Sequence, residues 1–109
     1  MKEYINIVLI RGAGGQLEKN ILPRIRARFV CYVDDRIDED CYELEFVSGK
    51  PSPKEELGMI VENYHMPDLY LQLVSYELSD EYLEHHVLKN GVWIDKIREK
   101  CNLKNAIII

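Results

Sequence analysis

Two stretches of two-residue alternation, Tyr42 to Val47 (YELEFV) and Leu69 to Leu78 (LYLQLVSYEL), limit the fold more than any other feature of this sequence. A β-strand points successive side chains to opposite faces. Period two therefore sets Tyr42, Leu44 and Phe46 against Glu43, Glu45 and Val47, and Leu69, Leu71 and Leu73 against Tyr70, Gln72, Val74, Tyr76 and Leu78. Strands of this kind build antiparallel sheets with one face on a core and the other toward water. Tyr4 to Arg11 (YINIVLIR) is apolar at nearly every position and predicts a strand buried on both faces.

Between the strands the period changes. Leu17, Ile21, Leu22, Ile25 and Phe29 fall at the three- and four-residue spacing of one helix face. Pro23 interrupts that helix, which is either kinked there or starts a new first turn there. Ser52, Pro53 and Glu55 read as N-cap, N1 and N3 of a second helix, which runs to about Tyr64 and buries Leu57, Ile60, Val61 and Tyr64. Phe29 to Val33 and Tyr82 to Leu88 are further strand candidates. Asn90-Gly91 predicts a tight hairpin turn into Val92-Trp93-Ile94. The charged run Asp34 to Asp40 reads as a hairpin loop, Asp95 to Asn102 as a last helical piece, and Ala106 to Ile109 as an apolar tail that adds an edge strand or an interface.

The resulting order is strand, helix, strand, strand, helix, strand, strand. It predicts an α+β, ferredoxin-like two-layer sandwich: a mainly antiparallel sheet with two helices on one face. With 109 residues, the chain fits one domain, residues 1–109, and not two. The longest early apolar stretch, Ile7 to Ile10, is far below the length of a membrane span or an export signal. An odd set of widely spaced cysteines, Cys31, Cys41 and Cys101, points to a reducing cytoplasm.

Charge narrows the function classes. The net charge is -5, distributed as +4 over residues 1–33, -12 over residues 34–85 and +3 over residues 86–109. An acidic middle segment attracts a basic protein surface, and Asp34, Asp35, Asp38, Glu39 and Asp40 are its densest part. A solvated, solubilising face accounts for the same residues. Tyr70 and Tyr76, on one face of one strand, extend the candidate partner surface, or else pack half-buried. Lys19, Arg24, Arg26 and Arg28 scatter around a helix, so nucleic-acid binding is not favoured.

Gly12-x-Gly14 between a strand and a helix has the layout of a dinucleotide loop, but Leu17 replaces the third glycine and no repeated strand-helix alternation follows. What remains is a weaker expectation: Gly12, Gly14 and Gly15 as a small-ligand or anion loop, or simply a turn. His85 and His86 are adjacent and point to opposite strand faces, and no metal-ligand spacing occurs, so neither metal nor cofactor is expected. No serine elbow or cysteine–histidine pairing is visible, and no catalytic residues are predicted.

The stretch Tyr42 to Trp93 resembles the YubB-type ferredoxin-like family, small proteins of plasmids, phages and other bacterial mobile elements. The similarity is carried by Tyr42-Glu43-Leu44-Glu45-Phe46, the Ser52-Pro53 helix start, the Tyr64-His65-Met66-Pro67 exit, the strand Leu69 to Tyr76 and the Asn90-Gly91 turn, with the first strand, Gly12 and Leu17 in the same order. Together with the charge pattern, the resemblance implies a non-enzymatic protein-binding accessory or anti-defence, inhibitor-like factor, acting through its acidic surface on a basic partner. The alternative is a dimeric, ACT-like regulatory domain that holds a small ligand near Gly12 to Gly15.

Overall fold

The computed structural model describes residues 3–12, 16–50, 53–62, 68–79 and 81–97. Six strands form one sheet: β1 (Tyr4–Arg11), β2 (Cys31–Asp38), β3 (Cys41–Ser48), β4 (Tyr70–Glu77), β5 (Tyr82–Lys89) and β6 (Val92–Ile97). Their order is β2-β3-β1-β4-β5-β6, and every neighbouring pair is antiparallel. Two helical segments complete the described chain. One comprises residues 17–28, of which Leu22–Arg28 is α-helix α1; the other is α2 (Lys54–Glu62).

Alternation of burial along β1, β3 and β4 gives the sheet an inner and an outer face. Val8 and Ile10 of β1, Tyr42, Leu44 and Phe46 of β3, and Leu71 and Leu73 of β4 enter one core with Leu17, Ile21, Leu22, Ile25, Leu57 and Val61 from the helical segments. β1 is thus not buried on both faces as its composition predicts: Ile5, Ile7 and Leu9 are only half-buried on the outer side. Their partial burial fits their place in the sheet, where a side chain of a central strand is flanked by its cross-strand partners.

The expected ferredoxin-like sandwich, with two helices laid over one face, is overturned. Five strands of 8 residues and one of 6 stand against helices of only 7 and 9 residues, so the fold is mainly sheet. At about 1.5 Å per helical residue and 3.3 Å per strand residue, such helices are roughly half the length of the strands they meet. The widening comes from the β5–β6 hairpin, whose turn residues Asn90 (φ 54°) and Gly91 (φ 75°) take the left-handed conformations that a two-residue hairpin requires. Asp95 to Ile97, expected as helix, continues β6 instead, with Asp95 paired to His86. The remainder of that predicted helix and the Ala106 to Ile109 tail lie outside the described residues.

Pro23 resolves the ambiguity of the first helix. A proline donates no N–H and its ring collides with the carbonyl four residues back. Leu17 to Ile21 therefore form a wide turn in which the Leu22 N–H bonds the Leu17 carbonyl, five residues back, and α1 begins afresh with Pro23 in its first turn. Phe29, predicted as the first residue of a strand, ends α1 instead: its N–H bonds the Ile25 carbonyl, and its ring stacks on Phe46 with centroids 4.2 Å apart. In α2 the Leu57 N–H bonds the Pro53 carbonyl, while the predicted cap Ser52 and the burial of Tyr64 fall outside the described residues. An ion pair from Arg28 to Glu56 joins the two helices.

Candidate functional site

The acidic run is a strand, not a loop. Asp34 to Asp38 belong to β2, and only Glu39 and Asp40 turn the chain into β3. β2 is the edge of the sheet, where a strand needs no second partner and charged side chains prevent sheet-to-sheet pairing with another molecule. That is why Asp34 to Asp38, too polar for a core, still fold as sheet. Asp35 shares a face with Glu43 across the pair, and Asp34 pairs with Leu44 on the other face.

The five predicted carboxylates consequently divide. Asp34 is committed internally: Arg26 of α1 grips it with two bonds, Nε to Oδ2 at 2.6 Å and Nη2 to Oδ1 at 2.9 Å. This hydrogen-bonded guanidinium holds the Asp34 carboxyl below its ordinary value of 3.8. Asp38 accepts the Glu39 N–H at its Oδ1 (2.7 Å), and Arg36 donates to the backbone carbonyls of Asp38 and Glu39 (3.2 and 2.8 Å). Arg36 thereby fastens the turn through carbonyls, and the carboxylates of Asp35, Asp38, Glu39 and Asp40 project from exposed residues.

The Arg26–Asp34 pair has a measurable consequence. Asp34→Asn is expected to cost less than about 1 kcal/mol, because both side chains are partly in water, 41% and 31% exposed. Since the folded carboxyl titrates below 3.8, its contribution is complete above that pH and disappears as the pH falls through the lower folded value. Urea unfolding over a series of pH values checks this: the difference between wild type and variant should be constant from pH 7 down toward 3.8 and shrink as the pH falls further. A difference that does not change with pH would assign it to packing.

Tyr70 and Tyr76 are both on the outer face, and both are half-buried. Arg11 lies over the Tyr70 ring at 4.6 Å, and Gln72 donates to the Tyr70 hydroxyl at 2.8 Å. Tyr32, which the sequence reading passed over, is 56% exposed on the same face, where its hydroxyl hydrogen-bonds Glu45 and its pKa is pushed up to about 12 by desolvation and that carboxylate. Cross-strand pairing sets Tyr70 beside Arg11 and Cys41, at the end of the sheet where the β2–β3 turn lies, and Tyr76 at the other end, beside Ile5 and Val47.

Of the predicted glycine loop, Gly14 and Gly15 lie outside the described residues. Gly12 has φ +92°, its N–H donates to the Asp40 carbonyl at 3.0 Å, and the Asp68 carbonyl packs against it. Its N–H is thus used inside the protein, and Gly12 ties the hairpin turn to the entry of β4.

The adjacent pair His85-His86 hides in the sequence a polar stripe on β5. The pairing register puts His86 on the inner face with Glu84 and Tyr82, two and four residues before it, a spacing that a strand reading of Tyr82 to Leu88 already contains. His86 Nε2 is 3.1 Å from Glu84 Oε2, with His86 2% exposed and its ring edge-on to Trp93 at 6.2 Å. Desolvation and the Glu84 carboxylate raise the Tyr82 pKa, and Tyr82 meets Tyr4 edge-on at 5.3 Å. A carboxylate between a phenol and an imidazole satisfies buried polar groups in the inner layer and favours this β4–β5 register over a slipped one.

Burial pushes the thiols of Cys31 and Cys41 up, which disfavours the thiolate that nucleophilic chemistry requires. Among the described residues, no group of three or more His, Cys, Asp or Glu side chains is placed to hold a metal ion, and no helix is long and apolar enough to cross a membrane. The chain matches no family model, no curated protein and no solved structure.

Proposed function

We propose that this chain is a non-enzymatic protein-binding domain that engages a basic partner surface through the β2–β3 hairpin. The observation that carries the reading is the division of the carboxylates: Asp34 is neutralised by Arg26, while Asp35, Asp38, Glu39 and Asp40 stay exposed on an edge strand whose turn Arg36 braces. Exposed like charges held on a rigid element raise the rate of encounter with an opposite surface and select against acidic ones. An inhibitor-like role fits that chemistry, since occlusion of a basic site needs no reactive group. The mobile-element setting of an accessory or anti-defence factor rests on the sequence resemblance alone.

Reversal of Asp38, Glu39 and Asp40 to lysine, with Asp34 left in place to hold Arg26, is expected to abolish capture of a basic protein from host lysate. Titration of the captured and purified protein should show wild-type affinity that falls steeply with added salt, and affinity about 100-fold weaker for the triple variant. Circular dichroism should show the sheet intact in the variant. Equal affinity for the two forms would remove the hairpin carboxylates from binding.

A further inference from the structure

β2 presents an open edge of the sheet. Among the described residues its single strand neighbour is β3, and Asp34 to Asp38 are all exposed along it. Alternate residues of an edge strand turn their N–H and C=O away from the sheet, where a further strand can pair with them. Exposed apolar side chains bracket the acidic run: Val30 (91%) and Tyr32 (56%) before it, and Ile37 (55%) toward its end. The irregularities of the β2–β3 pairing fall between Cys31 and Val33 and between Arg36 and Asp38, so Val33 to Arg36 form a regular stretch in the middle.

One row through that stretch sets like charges together. Asp35 stands directly opposite Glu43 on the outer face, and the row continues through Leu9, Gln72 and Val87, none of them basic. Carboxylates directly opposite one another destabilise a strand pair. The open position in the row lies beyond β2, on the side away from Glu43, where an added strand can place a cation. Asp34 and Arg36, on the inner face, make no such demand: Asp34 is bonded to Arg26, and Arg36 to the carbonyls of the turn.

We infer that the basic partner contributes an extended segment that adds to the edge of β2 as a further strand, with a lysine or arginine opposite Asp35 and apolar residues toward Tyr32 and Ile37. This strand addition rests on the hairpin being a partner site, and it names the form that the partner takes there. Main-chain bonds along the edge give such a contact its strength, and side chains at alternate positions give it specificity. Charge fixes the occupant. A second copy of β2 would bring Asp34, Asp35, Arg36 and Asp38, three carboxylates to one guanidinium, against the same set, a net repulsion. A strand with basic residues at alternate positions meets those carboxylates favourably instead. The irregularities at both ends of β2 confine the addition to a short strand and keep the edge from templating longer sheets.

Fluorescence anisotropy of the full chain with a labelled peptide of alternating lysine and valine, 8 residues long like β2, tests the addition. The peptide should bind. N-methylation of its alternate amides should weaken binding about 10-fold or more in one phase and little in the other, because only one edge of the peptide faces β2. Hydrogen exchange should show new protection within Val33 to Arg36. Asp35→Lys separates recognition from folding. With Glu43 opposite, this change should raise the melting temperature by about 2 °C or more, while the lysine peptide binds about 10-fold or more weakly. A glutamate–valine peptide should bind Asp35→Lys more tightly than it binds the wild type, a swap that general destabilisation cannot produce. Equal binding of the two N-methylated peptides, or an Asp35→Lys chain that holds the lysine peptide as tightly as wild type, overturns strand addition. The hairpin carboxylates then act by charge alone, and the capture experiment with Asp38, Glu39 and Asp40 reversed stands unaffected. No binding up to about 1 mM peptide overturns it as well. Undiminished capture by that triple variant, together with phase-dependent peptide binding, would keep strand addition and move recognition from the turn to the edge.

Discussion

Phe46→Ala is expected to destabilise the protein by about 3–5 kcal/mol, a large share of the 5–15 kcal/mol typical for a domain. Phe46 has no solvent exposure and is among the largest fully buried side chains. It stacks on Phe29 at an interplanar angle of 19°, and in the sheet it lies between Cys31 of β2 and Asn6 of β1. The Phe46 carbonyl also accepts a bond from the buried Asn6 side chain (3.3 Å), so a shift of the β3 backbone into the cavity would disturb a second buried group. Partial collapse is thus hindered, which favours the upper part of the range. Val30→Ala, beside Phe29 but 91% exposed, should change stability by less than about 0.5 kcal/mol. Urea unfolding followed by tryptophan fluorescence measures both. Similar losses at the two positions would show that the stack is not a core contact. A double-mutant cycle with Phe29→Ala should return a coupling of about 0.5–1.5 kcal/mol for the ring pair.

What could be read from the sequence follows how each strand is buried. β3 and β4 were legible in faces as well as in extent, because each has one dry side and one wet side, and period two records that directly. β2 was legible only at its first residues. An edge strand with both sides largely in water carries no apolar alternation, so Asp34 to Asp38 looked like a loop while their backbone was completing the sheet. Layer composition failed for a related reason. The Asn90-Gly91 hairpin into Val92 was legible, but the strand runs on to Ile97 where a helix was expected, and the proline-interrupted first helix shortens regular α-structure to 7 residues, so a count of elements overstated the helical layer. The candidate site was half visible. The carboxylates were found by composition, but their division between Arg26 and solvent depends on a contact from α1 that no local pattern encodes. Tyr32 reaches the outer face through an irregularity of the β2–β3 pairing between Cys31 and Val33, and bulges leave no period to detect.

Gly12 tests a different link, from backbone conformation to the joining of β1, the hairpin turn and β4. Gly12→Ala is expected to cost about 3 kcal/mol or more, for two additive reasons. At φ +92° an L side chain is strained wherever it is placed, by roughly 1–3 kcal/mol. An added Cβ would also stand 2.2 Å from the Asp68 carbonyl oxygen, a backbone atom with no flexible end to yield. Relief requires the chain to move at Gly12 or at Asp68. The first movement strains the 3.0 Å bond from the Gly12 N–H to the Asp40 carbonyl, and the second displaces Leu69, a buried core residue. Gly49→Ala is the matched control, since a Cβ there meets nothing within 4 Å and its φ lies outside the strained region; restricting the unfolded chain should leave it neutral or more stable by a few tenths of a kcal/mol. Thermal melts of the two variants should therefore move in opposite directions or leave Gly49→Ala unmoved, with Gly12→Ala lower by about 10 °C or more for a domain of this size. Hydrogen exchange separates strain from a ligand role: the loss should concentrate in the Asp40 turn and the first residues of β4. An unchanged melt for Gly12→Ala would mean that the Gly12 and Asp68 backbones do not meet in solution, and the hairpin turn that the proposed partner contacts would lose its anchor to the centre of the sheet.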